Sequence, residues 1–156
     1  MMFFLLRGKG VIYIAKSELS VIMKAKDLCS YIMTVTDKSP KRFRFTLVTR
    51  LQNYALDVIE NLIMANETFV SAGDMRSAAE RSSYQRTAMS RLKLLSYISE
   101  LAMKQGCILP KQYEHITEHV YDTENMLGAW MNSDKRRYGG QTSKDMAGGS
   151  VGEKRI

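Results

Sequence analysis

The stretch LPKQYEHITEHVYDTENMLGAW, residues 109–130, decides the fold of this chain. Its apolar side chains recur at alternating spacings of four and three, which places them on one side of an α-helix and leaves the other side polar. The members of this stripe are Leu109, Tyr113, Ile116, Val120, Thr123, Leu127 and Trp130. Pro110 suits the first turn of a helix, because the backbone N–H that proline lacks would be unpaired there. The stretch therefore predicts an amphipathic helix over residues 110–132.

Three earlier segments show the same periodicity and predict helices over residues 17–37, 43–66 and 74–105. Pro40 marks the end of the first predicted helix, because the residue before a proline is disfavoured in the helical conformation. Asp74 suits the start of the third helix and Gly106 its end. The apolar stripes are Val21, Ala25, Leu28, Ile32 and Val35; Leu51, Ala55, Val58, Leu62 and Ala65; and Ala88, Leu92, Leu95 and Ala102. Four such helices with short connections predict an all-α, up-down-up-down four-helix bundle.

The bundle is expected to span residues 17–133 as a single domain between two tails. The apolar run within residues 1–16 is too short for a signal peptide or a membrane span. We therefore expect these residues to form a disordered or strand-like extension. Residues 134–156 are rich in glycine, serine and basic side chains, which predicts a disordered basic tail. We expect a cytoplasmic protein without membrane contact. The net charge of +7 resides mainly in these tails, since residues 17–133 hold 14 basic and 13 acidic side chains.

No motif in the sequence supports catalysis, a cofactor or a metal. There is no G-x-S-x-G elbow, P-loop or G-x-G-x-x-G. Residues 115–119, His-Ile-Thr-Glu-His, match an inverted zinc-protease pattern, but both histidines flank the apolar stripe and no distal ligand helix stands out. Cys29 and Cys107 are expected to be reduced, partly buried thiols. The sequence therefore predicts a protein that is not an enzyme.

The basic side chains of the body form two groups that are candidates for phosphate contact. The nine candidate nucleic-acid-binding residues are Lys41, Arg42, Arg44, Arg50, Arg76, Arg81, Arg86, Arg91 and Lys93. Cations at a helix start oppose the helix dipole, so a role other than helix stability is indicated for residues 41–44. The alternative interpretation of residues 41–45 is a solvated loop whose two phenylalanines are tucked inward.

Three segments of the chain resemble one protein family. They are Ser39-Pro40-Lys41-Arg42-Phe43-Arg44-Phe45; residues 92–97, LKLLSY, followed by residues 109–113, LPKQY; and Met126-Leu127-Gly128-Ala129-Trp130. These stretches are similar to the accessory variability determinant (Avd) proteins of diversity-generating retroelements, small four-helix proteins grouped with the ribosomal-RNA intervening-sequence proteins. The resemblance covers roughly residues 17–133.

The resemblance implies a bundle that assembles into a ring-shaped homo-pentamer with a basic surface. Such an assembly binds the retroelement reverse transcriptase and its template RNA, with DNA as the alternative nucleic acid, and supports mutagenic cDNA synthesis without catalysing it. The nearly neutral body departs from this pattern, so the polymerase or the tails are alternative sites of RNA contact. A helical protein-interaction or structural module without a nucleic-acid role is the second hypothesis.

Overall fold

A computed structural model describes residues 9–139 of the chain, and the side chains of residues 20–139. The four helices are α1 (Lys9–Thr36), α2 (Thr49–Glu67), α3 (Met75–Lys104) and α4 (Pro110–Tyr138). A 3₁₀ turn, Lys41–Phe43, and a π-helical segment, Arg44–Val48, lead into α2. The described residues contain helices and no strands, so the predicted all-α four-helix bundle is confirmed.

The main contacts join each helix to its neighbours in the chain and join α1 to α4, with the largest interface between α2 and α3. The stripes predicted for α1, α2 and α3 are buried throughout. Small side chains at Ala55, Ala65, Ala88 and Ala102 are fully buried. None of the helices within residues 9–139 combines the length and apolarity that crossing a bilayer would need.

The structure differs from the sequence prediction at the ends of α1 and α4. The first helix begins at Lys9 and passes through Ser17, where its start was expected, while residues 1–8 lie outside the described part of the chain. The last helix continues to Tyr138, beyond the expected end of the bundle at residue 133. Residues 140–156 of the predicted tail lie outside the described residues. Leu109, placed on the buried stripe, is 63% exposed because it precedes the first turn of α4.

Two connections lie together at one end of the bundle, the Ser39 end. The Ser39 hydroxyl donates to the backbone carbonyl of Cys107 at 2.7 Å, which joins the α1–α2 connection to the α3–α4 connection. The α2–α3 connection lies at the opposite end, which we call the Asp74 end. Two connections thus lie at the Ser39 end and one at the Asp74 end.

Both caps predicted for α3 are confirmed. The Asp74 carboxylate accepts from the Ser77 backbone N–H at 3.0 Å and from the Ser77 hydroxyl at 2.6 Å. These hydrogen bonds lower the pKa of Asp74, so the cap is retained at neutral pH and is lost as the carboxyl becomes protonated in acid. At the other end Gly106 has φ of 74°, and the Cys107 N–H donates to the Ala102 carbonyl at 2.8 Å. This is the Schellman arrangement that favours glycine.

Replacing Gly128 with alanine is expected to raise the free energy of unfolding by about 0.5–1 kcal/mol, because glycine weakens a helix interior. A methyl group added at Gly128 would meet no atom within 4 Å apart from the adjacent residues and the backbone of its own helix, so alanine fits there without a clash. Chemical denaturation followed by circular dichroism measures the change. Gly106→Ala is the matched control, and it should destabilise because of its positive φ. Destabilisation by Gly128→Ala would contradict the open space at this glycine.

Candidate nucleic-acid interface

Three of the nine candidate residues lie together at the Ser39 end. Lys41, Arg42 and Arg44 are all exposed, in the 3₁₀ turn and at the start of the π-helical segment. The Arg42 guanidinium lies 4.6 Å from the centre of the Phe43 ring, a cation–π contact that holds it near the surface. No acidic residue occurs from Lys38 to Arg50. Lys41, Arg42 and Arg44 therefore present positive charge that no acid of their own segment offsets, beside an aromatic ring.

The alternative interpretation of residues 41–45 was a solvated loop with both phenylalanines turned inward. Only one of the two phenylalanines is turned inward in the structure. Phe43 is half-buried and packs against the core. Phe45 is 86% exposed. Sequence reasoning missed Phe45 as a candidate site residue, because an apolar residue near a helix start is usually read as part of the core.

The fold brings Arg50 of α2 and Arg91 of α3 to the same tyrosine. Arg50 Nη1 donates to the Tyr54 hydroxyl at 3.0 Å, and the Arg91 guanidinium lies 5.4 Å from the Tyr54 ring centre. Arg91 Nε is also 3.1 Å from a carboxylate oxygen of Asp57. Its N–H is not directed at that oxygen, so the contact is an ion pair rather than a hydrogen bond. Arg91 is thus partly neutralised, while Arg50 keeps its charge at the surface.

Arg81 is not available as a phosphate contact, which corrects the sequence assignment. Its side chain is buried, with its Nε 2.7 Å from Asp134 and its guanidinium 5.0 Å from the Trp130 ring. Gln85 Nε2 donates to the same Asp134 oxygen at 2.8 Å. The cluster of Arg81, Gln85 and Asp134 was not predicted from the sequence, because residue 134 was expected to lie in the disordered tail. The first half of α3 accordingly packs on the end of α4 and does not project from the bundle.

The remaining three candidates are dispersed over the bundle. Arg76 lies at the Asp74 end, in the first turn of α3. Arg86 lines a groove on the side of α3. Lys93 faces Glu124 of α4, whose pKa is raised by burial and, to a smaller extent, lowered by the Lys93 charge. The nine residues therefore do not form one surface, and only those at the Ser39 end combine exposure with proximity.

The groove beside Arg86 has a volume of about 490 Å³ and lies between the start of α3 and the end of α4. Its walls include the apolar side chains of Met75, Ala78 and Met131, and the polar side chains of Gln85 and Asp134 at its inner edge. Met75 is 47% exposed. The groove exists because α4 continues past residue 133, so the sequence prediction could not reveal it.

The two histidines of the H-x-x-E-H match pack around Tyr31 of α1. Its ring centre lies 5.8 Å from that of His115 and 5.7 Å from that of His119. His115 Nδ1 is 3.5 Å from a Glu118 oxygen. No group of three or more potential ligands that could hold a metal occurs within residues 9–139. Cys29 and Cys107 are both buried and free, and burial raises the pKa of the Cys29 thiol.

No protein-family model matches this chain, and no curated protein matches it.

Proposed function

We propose that this chain is a non-catalytic accessory protein of a diversity-generating retroelement, which binds the reverse transcriptase and RNA and supports mutagenic cDNA synthesis. The proposal rests on the resemblance of residues 17–133 to the Avd proteins and on one structural observation. That observation is the exposed cluster of Lys41, Arg42 and Arg44 at the Ser39 end, in a segment without acidic residues. Lysine and arginine side chains in such a setting are the usual contacts of nucleic-acid phosphates.

A cluster of cations at one end gives RNA a defined place to dock on a body that is nearly neutral. It also leaves the sides of the bundle for protein contacts. The acidic face of α4, with exposed Glu114, Glu118 and Asp122, is a candidate surface for a neighbouring subunit or the polymerase. By the same resemblance we propose a homo-oligomeric ring, a pentamer. Light scattering on the purified protein measures the oligomeric mass directly.

The affinity for RNA is expected to fall about 20-fold for a fourfold rise in salt, because three phosphate contacts to a single strand give a slope of about −2 between the logarithms of affinity and salt. Fluorescence anisotropy of a labelled RNA, titrated with the full chain at several salt concentrations, measures this slope. A salt-independent affinity would contradict phosphate contact. Binding of the partner is tested separately, by co-purification with a reverse transcriptase encoded beside this gene and by the presence there of a near-identical repeat pair.

The second hypothesis, a helical protein-interaction module without a nucleic-acid role, is favoured by the groove between α3 and α4. Its apolar walls and the half-exposed Met75 suit a partner side chain. Under this hypothesis the cations at the Ser39 end serve solubility and steering. Absence of RNA binding at low salt, together with recovery after nuclease treatment of a protein partner other than the reverse transcriptase, would favour it over the first proposal.

A further inference from the structure

Phe45 is the most exposed large hydrophobic side chain among residues 20–139, at 86%. Phenylalanine stabilises a fold by being buried, so folding gains little from the choice of phenylalanine at this exposed position. Its neighbours in the chain behave differently, because Phe43, Leu47 and Val48 are half-buried and pack on the core. The segment therefore directs one aromatic ring outward while its other apolar side chains point inward.

The backbone of this segment is unusual as well. Residues Arg44–Val48 form a π-helix, and the Thr49 hydroxyl donates to the Arg44 carbonyl, five residues earlier, at 2.6 Å. Single π-helical turns are rare and are frequently found at functional sites. The π-helical segment Arg44–Val48 lies between the exposed 3₁₀ turn and the buried stripe of α2.

The surroundings of Phe45 are positively charged. Arg44 precedes it, Lys41 and Arg42 lie in the adjacent 3₁₀ turn, and all three side chains are exposed. No acidic residue occurs from Lys38 to Arg50. A single ring among cations suits a ligand that offers both anionic groups and flat apolar faces. Unpaired nucleotides have this chemistry, since proteins bind them by combining basic grooves with aromatic stacking.

We propose that Phe45 stacks on an unpaired base while Lys41, Arg42 and Arg44 contact the adjacent phosphates, so that the Ser39 end prefers single-stranded RNA to duplex RNA. The physical reason is that the bases of a duplex are already stacked on one another and present no free face to a side chain. This inference rests on the proposed function, because it requires the bundle to bind RNA. It adds the class of RNA and the residue that selects it.

The experiment compares the full-length wild-type chain with Phe45→Ala on an unstructured single-stranded RNA and on an RNA duplex of equal length. Stacking contributes about 1–3 kcal/mol per base, so Phe45→Ala should weaken single-strand binding fivefold or more and leave duplex binding within about twofold. Phe45→Tyr should retain single-strand binding. Phe69→Ala is the matched control, because Phe69 is 82% exposed in the α2–α3 connection at the Asp74 end. It should change neither affinity.

Equal losses on single strand and duplex, or no loss on either, would overturn the role of Phe45 while leaving RNA binding intact. A lower oligomeric mass of Phe45→Ala at unchanged RNA affinity would assign the ring to a protein contact and would also overturn it. If the wild-type chain binds neither RNA at low salt, the proposed function fails and this inference fails with it. Circular dichroism of each variant verifies that the helices remain.

Discussion

Replacing Asp134 with alanine is expected to lower the free energy of unfolding by about 3 kcal/mol. This value is at the lower end of the usual cost of removing one partner of a buried ion pair. Arg81 and Asp134 are both only 7% exposed, so neither charge is well solvated in the folded protein. The substitution removes the acceptor of Arg81 Nε at 2.7 Å and of Gln85 Nε2 at 2.8 Å. Denaturant unfolding of the full-length chain, followed by circular dichroism, measures the loss.

Asp122→Ala is the matched control for that experiment. Asp122 also lies on α4 and also forms an ion pair, with Lys24 at 3.7 Å, but both side chains are well exposed. Exposed pairs contribute less than about 1 kcal/mol, so this variant should be close to wild type. Replacing Arg81 and Asp134 together with leucine should cost less than Asp134→Ala, because no buried charge then remains. Equal stability of Asp134→Ala and Asp122→Ala would contradict a structural role for the pair.

Reversing the charge at Arg42 and Arg44 together, to glutamate, should reduce RNA affinity more than tenfold at low salt. The variant loses two phosphate contacts and gains two charges that repel RNA. For single-stranded RNA, the slope of the logarithm of affinity against the logarithm of salt concentration should fall in magnitude by about 1.4. The fold should persist, because both side chains are exposed and negative charge at a helix start is favoured by the helix dipole. Anisotropy titrations measure affinity and slope, while circular dichroism verifies the helices.

The control for charge reversal changes the net charge by the same amount elsewhere. Lys26 and Arg136 are both exposed, on α1 and α4, and neither belongs to the candidate set. The double variant Lys26→Glu/Arg136→Glu should weaken RNA binding only slightly. If it weakens binding as much as the Arg42 and Arg44 reversal, attraction depends on net charge alone and the Ser39 end is not a specific site.

The candidate site was only partly predictable from the sequence. The run of cations over residues 41–44 identified an exposed cluster, because these residues occur close together in the chain with no acid among them. The arginines of α3 were less predictable, since each points in a different direction around the helix. Among them Arg91 meets Asp57 and Tyr54 of α2, and Arg81 meets Asp134, which lies 53 residues away. Local periodicity cannot predict pairs of residues that lie so far apart in the sequence.

Local sequence patterns were enough to predict the four helices, most of the apolar side chains that form the core and the caps of α3, because periodicity, capping side chains and glycine depend on residues within a few positions of one another. The end of α4 became visible only in the folded structure, since the pairing of Asp134 with Arg81 and Gln85 lies beyond the last apolar member of the stripe. The folded structure also shows that Phe45 points outward although Phe43, two residues earlier, packs on the core. Burial depends on which helix lies opposite, and that information exists only once the chain has folded.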